Sequence, residues 1–249
     1  MGSGISSEQL AENARLSRLH EHASAPHRHL VPGLHEAWYR PKNKLLILQS
    51  AGNVTHEGGT AEAEDIQAES YLTGSAINVG IVQNHFIEHG LPQANITIEN
   101  FSVCNEKDPR MVIQDFIRSC HHHGNDMMIY YTGHGDATGA WRFTLHSRNK
   151  REVLVSPGDM REWVHAHDRP GQMPWLMIMS QSCYSGKWVE QAWDTFRSRT
   201  AVYSSASSTE QSFSTPRGSE WTKFKFGCGK KHSGRSSPQF CYKPRVKLA

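Results

Sequence analysis

The chain has 249 residues, 37% of them hydrophobic and 20% charged, with a formal net charge of +3. No apolar run approaches the roughly 18 residues of a membrane helix, and no basic start leads into an apolar signal core, so neither a transmembrane nor a signal-led secreted protein is expected. Five cysteines, an odd number on a long chain, argue against a disulfide scaffold and for reduced thiols in a compartment such as the cytoplasm.

The charge is uneven. No acidic residue follows Glu220, yet eight of the 27 basic residues lie beyond residue 222, so residues 1–222 carry −5. The positive sign belongs to the tail, and no nucleic-acid partner is expected from it. Three regions follow: an N-terminal appendage over residues 1–40, a domain over 41–226, and a basic, polar tail over 227–249 expected to be disordered. In the appendage, Ser6 and Gln9 have capping-box spacing for a short helix to about His22, and Pro26 and Pro32 punctuate a His-rich linker. The start Met1-Gly2-Ser3-Gly4-Ile5-Ser6 fits a myristoylation pattern with Gly2 as acceptor. Acylation there, added to the basic tail, makes a two-signal membrane anchor the alternative to a freely cytoplasmic protein.

From Lys42 the pattern alternates strands with helices. Leu45 to Leu48 is a continuous apolar run, as a strand buried on both faces requires. A polar loop is expected to about Leu72, then a helix capped by Ser75, with Ile77, Ile81, Val82 and Phe86 on one side, ending at Gly90. Ile96 to Val103 reads as a second strand. Asp108-Pro109 is a helix start, and Gly124 a stop. Met127 to Tyr131 and Trp175 to Met179 are further buried strands. Between them lie a hairpin over Trp141 to Leu154 and a helix from Ser156. A helix from Lys187 to Arg197 and a short strand at Ala201 to Tyr203 follow. Trp221 to Phe226 is the last stretch with structural character. This order implies an α/β fold: a three-layer sandwich with a mostly parallel central sheet flanked by helices.

Two of these strands end in motifs. The third runs into Thr132-Gly133-His134-Gly135-Asp136, the fourth into Gln181-Ser182-Cys183-Tyr184-Ser185-Gly186. Ligands of open α/β sheets bind beyond the carboxyl ends of the strands. A thiol and an imidazole delivered there suit nucleophilic catalysis: the thiolate attacks, and the imidazole holds and returns a proton near neutral pH. Cys183 and His134 are therefore the candidate catalytic pair.

The two motifs, each at a strand end, resemble those of the caspase–metacaspase cysteine peptidases. Cys183 follows His134 by 49 residues, the order and approximate spacing of caspases. The resemblance covers about Lys44 to Tyr203 and implies a peptidase with protein or peptide substrates and no cofactor. Calcium dependence and oligomeric state stay open. It implies Cys183 as nucleophile, His134 as acid/base, and the backbone N–H groups of Gly135 and Cys183 as oxyanion donors. It also implies a fold closed by a further helix and strand, for which few residues remain here.

The chain departs from the family at the specificity pocket. Caspases cleave after aspartate with arginines that follow the first and fifth strands, where this chain has Ser50-Ala51-Gly52-Asn53 and Ser204-Ser205-Ala206-Ser207. Metacaspases cleave after Arg or Lys with an acid two residues before the nucleophile, where this chain has the neutral Gln181. The pocket candidates are thus Gln181, Ser204 and Ser205, with Asp136 or Glu210 as a replacement acid. Caspases are also cut between the nucleophile and the fifth strand. Only 14 residues separate Gly186 from Ala201, most with helical character, and a single-chain protein is expected. The alternative to a peptidase is a catalytically inactive caspase-like interaction module.

The remaining signals have plainer explanations. His121-His122-His123 suits the negative end of a helix dipole better than a metal site, since consecutive helical residues point different ways. Cys104 and Cys120 fit small core positions.

Overall fold

A computed structural model describes residues 41–50, 61–102, 107–144, 152–167, 174–195, 200–212 and 217–226. The appendage with Gly2, the basic tail, residues 51–60 and Cys104 lie outside the described residues. In chain order the elements are β1 (Lys44–Ser50), α1 (Ala61–Glu88), β2 (Ile96–Asn100), α2 (Pro109–His123), β3 (Met127–Gly135), β4 (Trp141–Thr144), β5 (Glu152–Val155), α3 (Pro157–His165), β6 (Leu176–Gln181), α4 (Gly186–Thr195), β7 (Thr200–Ser204) and α5 (Glu220–Phe226).

Five strands form a parallel sheet in the order β2-β1-β3-β6-β7. The end of β3 continues antiparallel into β4, which pairs with β5. The central strands are buried along nearly their whole length because helices cover both faces, which is why their sequences are unbroken apolar runs. Alternation sorts them between two cores. Leu46, Leu48, Ile129, Tyr131, Ile178 and Val202 face α2, α3, α4 and the β4–β5 hairpin, packing with Ile113, Ile117, Met160, Val164, Trp188 and Trp141. Leu45, Ile47, Met128, Tyr130, Met177 and Met179 face α1 and α5, packing with Val79, Val82, Phe86, Trp221 and Phe226. The chain is an α/β three-layer sandwich around a mostly parallel sheet. Among the described residues no helix is long and apolar enough to cross a membrane.

Local chemistry sets the helix ends. The Asp108 carboxylate accepts from Arg110 N–H, Pro109 opens α2, and Gly124 closes it in a left-handed conformation with φ 65°. Ser156 and Asp159 form a reciprocal capping box on α3. One expectation is corrected: α1 begins at Ala61, not at a Ser75 cap. Residues 61–72 are rich in Ala and Glu, strong helix formers in a stretch with few apolar residues that imitates a loop. Ser75 instead lies buried within α1, where its hydroxyl accepts from Gln49 Nε2 at 2.7 Å. β2 is also shorter than expected, ending at Asn100.

Candidate active site

The parallel register of β3 and β6 places Thr132 opposite Gln181. His134 and Cys183 each stand two residues farther along, so both reach the carboxyl edge of the sheet on neighbouring strands. The two segments approach closely at Gly135. A Cβ added there would lie 2.2 Å from the Cys183 carbonyl oxygen, so no larger residue fits without moving the Cys183 backbone.

The segment around His134 is fixed from below. The Tyr131 hydroxyl lies 2.7 Å from the His134 carbonyl oxygen and 2.9 Å from that of Arg142. Its ring stacks on Trp141 at 4.7 Å between centroids, and Trp141 stacks on Trp188 of α4 at 4.2 Å. Both indoles are also held by their N–H groups. Trp141 donates to the Ser180 hydroxyl at 2.9 Å, Trp188 to the Gly139 carbonyl at 2.7 Å. This column joins β3, the hairpin and α4 under the reactive edge. Large aromatic surfaces bury much area at low conformational cost, which suits a rigid support.

Cys183 sits on the turn between β6 and α4. The next residue, Tyr184, adopts φ 55°, the only positive φ outside glycine among the described residues. A bulky residue is strained there. The turn is held by Tyr184 N–H donating to the Glu210 carbonyl (2.8 Å) and by Lys187 N–H donating to the Tyr184 carbonyl (3.0 Å). The Cys183 thiol is half-buried, and burial pushes it above its ordinary pKa of 9.0. Backbone hydrogen bonds from Ser212, from Cys183 itself and from Gly135 oppose this, since a donor beside sulfur favours the thiolate. Two of the three residues are those expected to supply the oxyanion donors.

The segment after β7 folds back over this turn. Ser205 and Ala206 N–H groups donate to the Ser185 hydroxyl at 3.1 and 3.0 Å. A Cβ on Gly186 would lie 2.3 Å from Ser208 N, so glycine permits the approach. At the end of the segment, the Ser212 hydroxyl accepts from Gln181 Nε2 at 2.7 Å and from Ser205 at 2.9 Å, and the Ser212 carbonyl lies 3.8 Å from Cys183 Sγ.

The expected pocket residues therefore divide. Gln181 and Ser205 join the cluster around Ser212 beside Cys183. Ser204 is buried at the end of β7, opposite Ser180 of β6. The Asp136 carboxylate accepts from Thr138 N–H, the Thr138 hydroxyl and Ala140 N–H at 2.9, 2.6 and 2.9 Å, which shapes the turn into β4. Glu210 is exposed, and its carboxylate accepts from Ser207 N–H at 3.4 Å. Ser212, Tyr131 and the paired tryptophans are site residues that sequence reasoning missed. Ser212 lies in a polar serine run without a spacing signal, whereas a tyrosine two residues before Gly133 in a buried strand was a signal that a hydroxyl partner had to exist.

Cys120 is the other free thiol of the described residues, deep under α2. The three histidines 121–123 occupy the last turn of α2. Among the described residues no three or more metal-binding side chains are grouped to hold a metal ion.

No protein-family model matches this chain, and no curated protein matches it significantly.

Proposed function

We propose that the protein is a caspase-like cysteine endopeptidase. The observation that carries the reading is the joint delivery of His134, Gly135 and Cys183 to the carboxyl ends of two neighbouring parallel strands, with Gly135 packed against the Cys183 backbone. In this reading a peptide carbonyl brought to Cys183 meets a nucleophile, an acid/base on the neighbouring strand end and two donors for the developing oxyanion.

In this mechanism His134 takes the thiol proton, and the sulfur forms a bond to the carbonyl carbon. The tetrahedral intermediate collapses as the carbon–nitrogen bond breaks, and His134 gives its proton to the departing amine. Water, losing a proton to His134, then attacks the thioester and releases the acid and the free thiol. The reading includes a reduced, cytoplasmic setting for the thiol and peptide or protein substrates. It also includes action as a single chain, since α4 fills most of the segment between Cys183 and β7.

The test is peptide hydrolysis by the purified chain. Cys183→Ala abolishes turnover and His134→Ala lowers kcat by about 1,000-fold. Hydrolysis unchanged by Cys183→Ala overturns the reading.

A further inference from the structure

Gln181 is 1% exposed, and its amide is only half used. Nε2 donates to the Ser212 hydroxyl at 2.7 Å, whereas the fully buried Oε1 has no hydrogen-bond partner. A buried amide oxygen without a donor is costly in a native protein and asks for an explanation. The explanation lies beside the thiol, because Ser212 binds this amide through its hydroxyl and faces Cys183 Sγ with its carbonyl, 3.8 Å away. One residue thus spans Cys183 Sγ and the Gln181 amide.

The chemistry of this cluster is neutral. The side chains of Gln181, Ser205 and Ser212 bond one another, and beyond that only the Ser185 hydroxyl and the Ser182 carbonyl. Among the described residues no carboxylate or cationic group hydrogen-bonds to any of the three. A charged side chain placed here would be desolvated without a counter-charge. A neutral side chain that both donates and accepts would fill the unused capacity: its donor meets Gln181 Oε1, and its acceptor takes the Gln181 Nε2 or Ser205 hydroxyl that Ser212 now engages.

We infer that the Gln181–Ser205 pocket selects an uncharged carboxamide side chain, asparagine or glutamine, immediately before the scissile bond, and that Ser212 occupies this pocket in the resting protein. The inference rests on the peptidase reading. Carboxamide pairing with Gln181 is reciprocal, one N–H···O bond in each direction, and both charged families of peptide end are disfavoured by the same absence of a counter-ion.

The test is a set of fluorogenic peptides differing only before the scissile bond, carrying Asn, Gln, Asp, Glu, Lys, Arg or Ala, read as kcat/KM for the wild-type chain, Gln181→Glu and Cys183→Ala. The expected result is cleavage of the Asn or Gln peptide about 100-fold faster than any charged one, with Gln181→Glu shifting preference toward Lys and Arg. Cys183-dependent cleavage fastest after Asp, Glu, Lys or Arg overturns the carboxamide pocket and leaves the peptidase standing. Gln181→Glu with an unchanged profile overturns the role of Gln181 even if Asn is preferred. No Cys183-dependent cleavage of any peptide overturns the peptidase reading and this inference with it.

Discussion

Cys120 and Cys183 are the same chemical group in two opposite settings. Cys120 lies near the carboxyl end of α2, 2% exposed, packed among Ile113, Ile117 and Met127. Burial, the largest effect, pushes its thiol up to about 12, with Asp126 adding to the rise and Lys44 opposing it. Cys183 is also raised by burial, but backbone donors from three residues counter it, and α4 begins three residues later. On the proposed reading, a thiol can serve as a nucleophile where donors replace part of the lost water, and it stays a small apolar residue where nothing does.

The sharpest test of this contrast is the pair of alanine variants. Cys183→Ala removes peptide turnover by at least about 1,000-fold and leaves thermal stability near wild type. Cys120→Ala leaves kcat within about twofold and costs about 1 kcal/mol, seen as a lower unfolding midpoint. A next step breaks the donor side of the comparison. Gly135→Ala forces its methyl against the Cys183 carbonyl and displaces the proposed oxyanion donor, so kcat is expected to fall about 100-fold to 1,000-fold with a smaller change in KM. Steady-state kinetics checks it.

Tyr131→Phe acts one layer deeper. It removes the hydroxyl between the His134 and Arg142 carbonyls while keeping the stacked ring, costing about 1 kcal/mol in denaturant titration and lowering kcat about tenfold. The smallest effects are in pH. In the resting protein alkylation of Cys183 by iodoacetamide accelerates only at pH above its ordinary 9.0, because burial raises the thiol. Cys120 stays unlabelled until the protein unfolds. Folding keeps the Cys120 proton that the unfolded chain releases, so its contribution to stability is whole below about pH 9.0 and lost as pH rises toward 12. Unfolding midpoints across that window measure the loss.

The framework of the fold was legible because its strands are buried on both faces and its helices carry ordinary caps. Leu45–Leu48, Met127–Tyr131 and Trp175–Met179 announce central strands, and Asp108-Pro109 and Ser156 announce α2 and α3. The first half of α1 was hidden, since helix-forming Ala and Glu look like loop where apolar spacing is sparse. At the site, the strand-end motifs pointed to His134 and Cys183 directly. Ser212 was invisible because its place depends on a loop folding back from β7, a contact between residues 29 apart that no local pattern encodes. Asp136 was visible as an acid but not as the keystone of a turn, because an Asx arrangement and a specificity carboxylate look alike until their partners are known.

The central claim is that Cys183 forms a covalent acyl intermediate. Rapid mixing of the full chain with a peptide thioester or activated ester, acid quench within milliseconds, and mass analysis of the digested protein test it most directly. The account predicts an acyl mass on the peptide containing Cys183, approaching one per chain and absent in Cys183→Ala. Substrate cleavage with no adduct at Cys183, or an adduct at Cys120 instead, contradicts it.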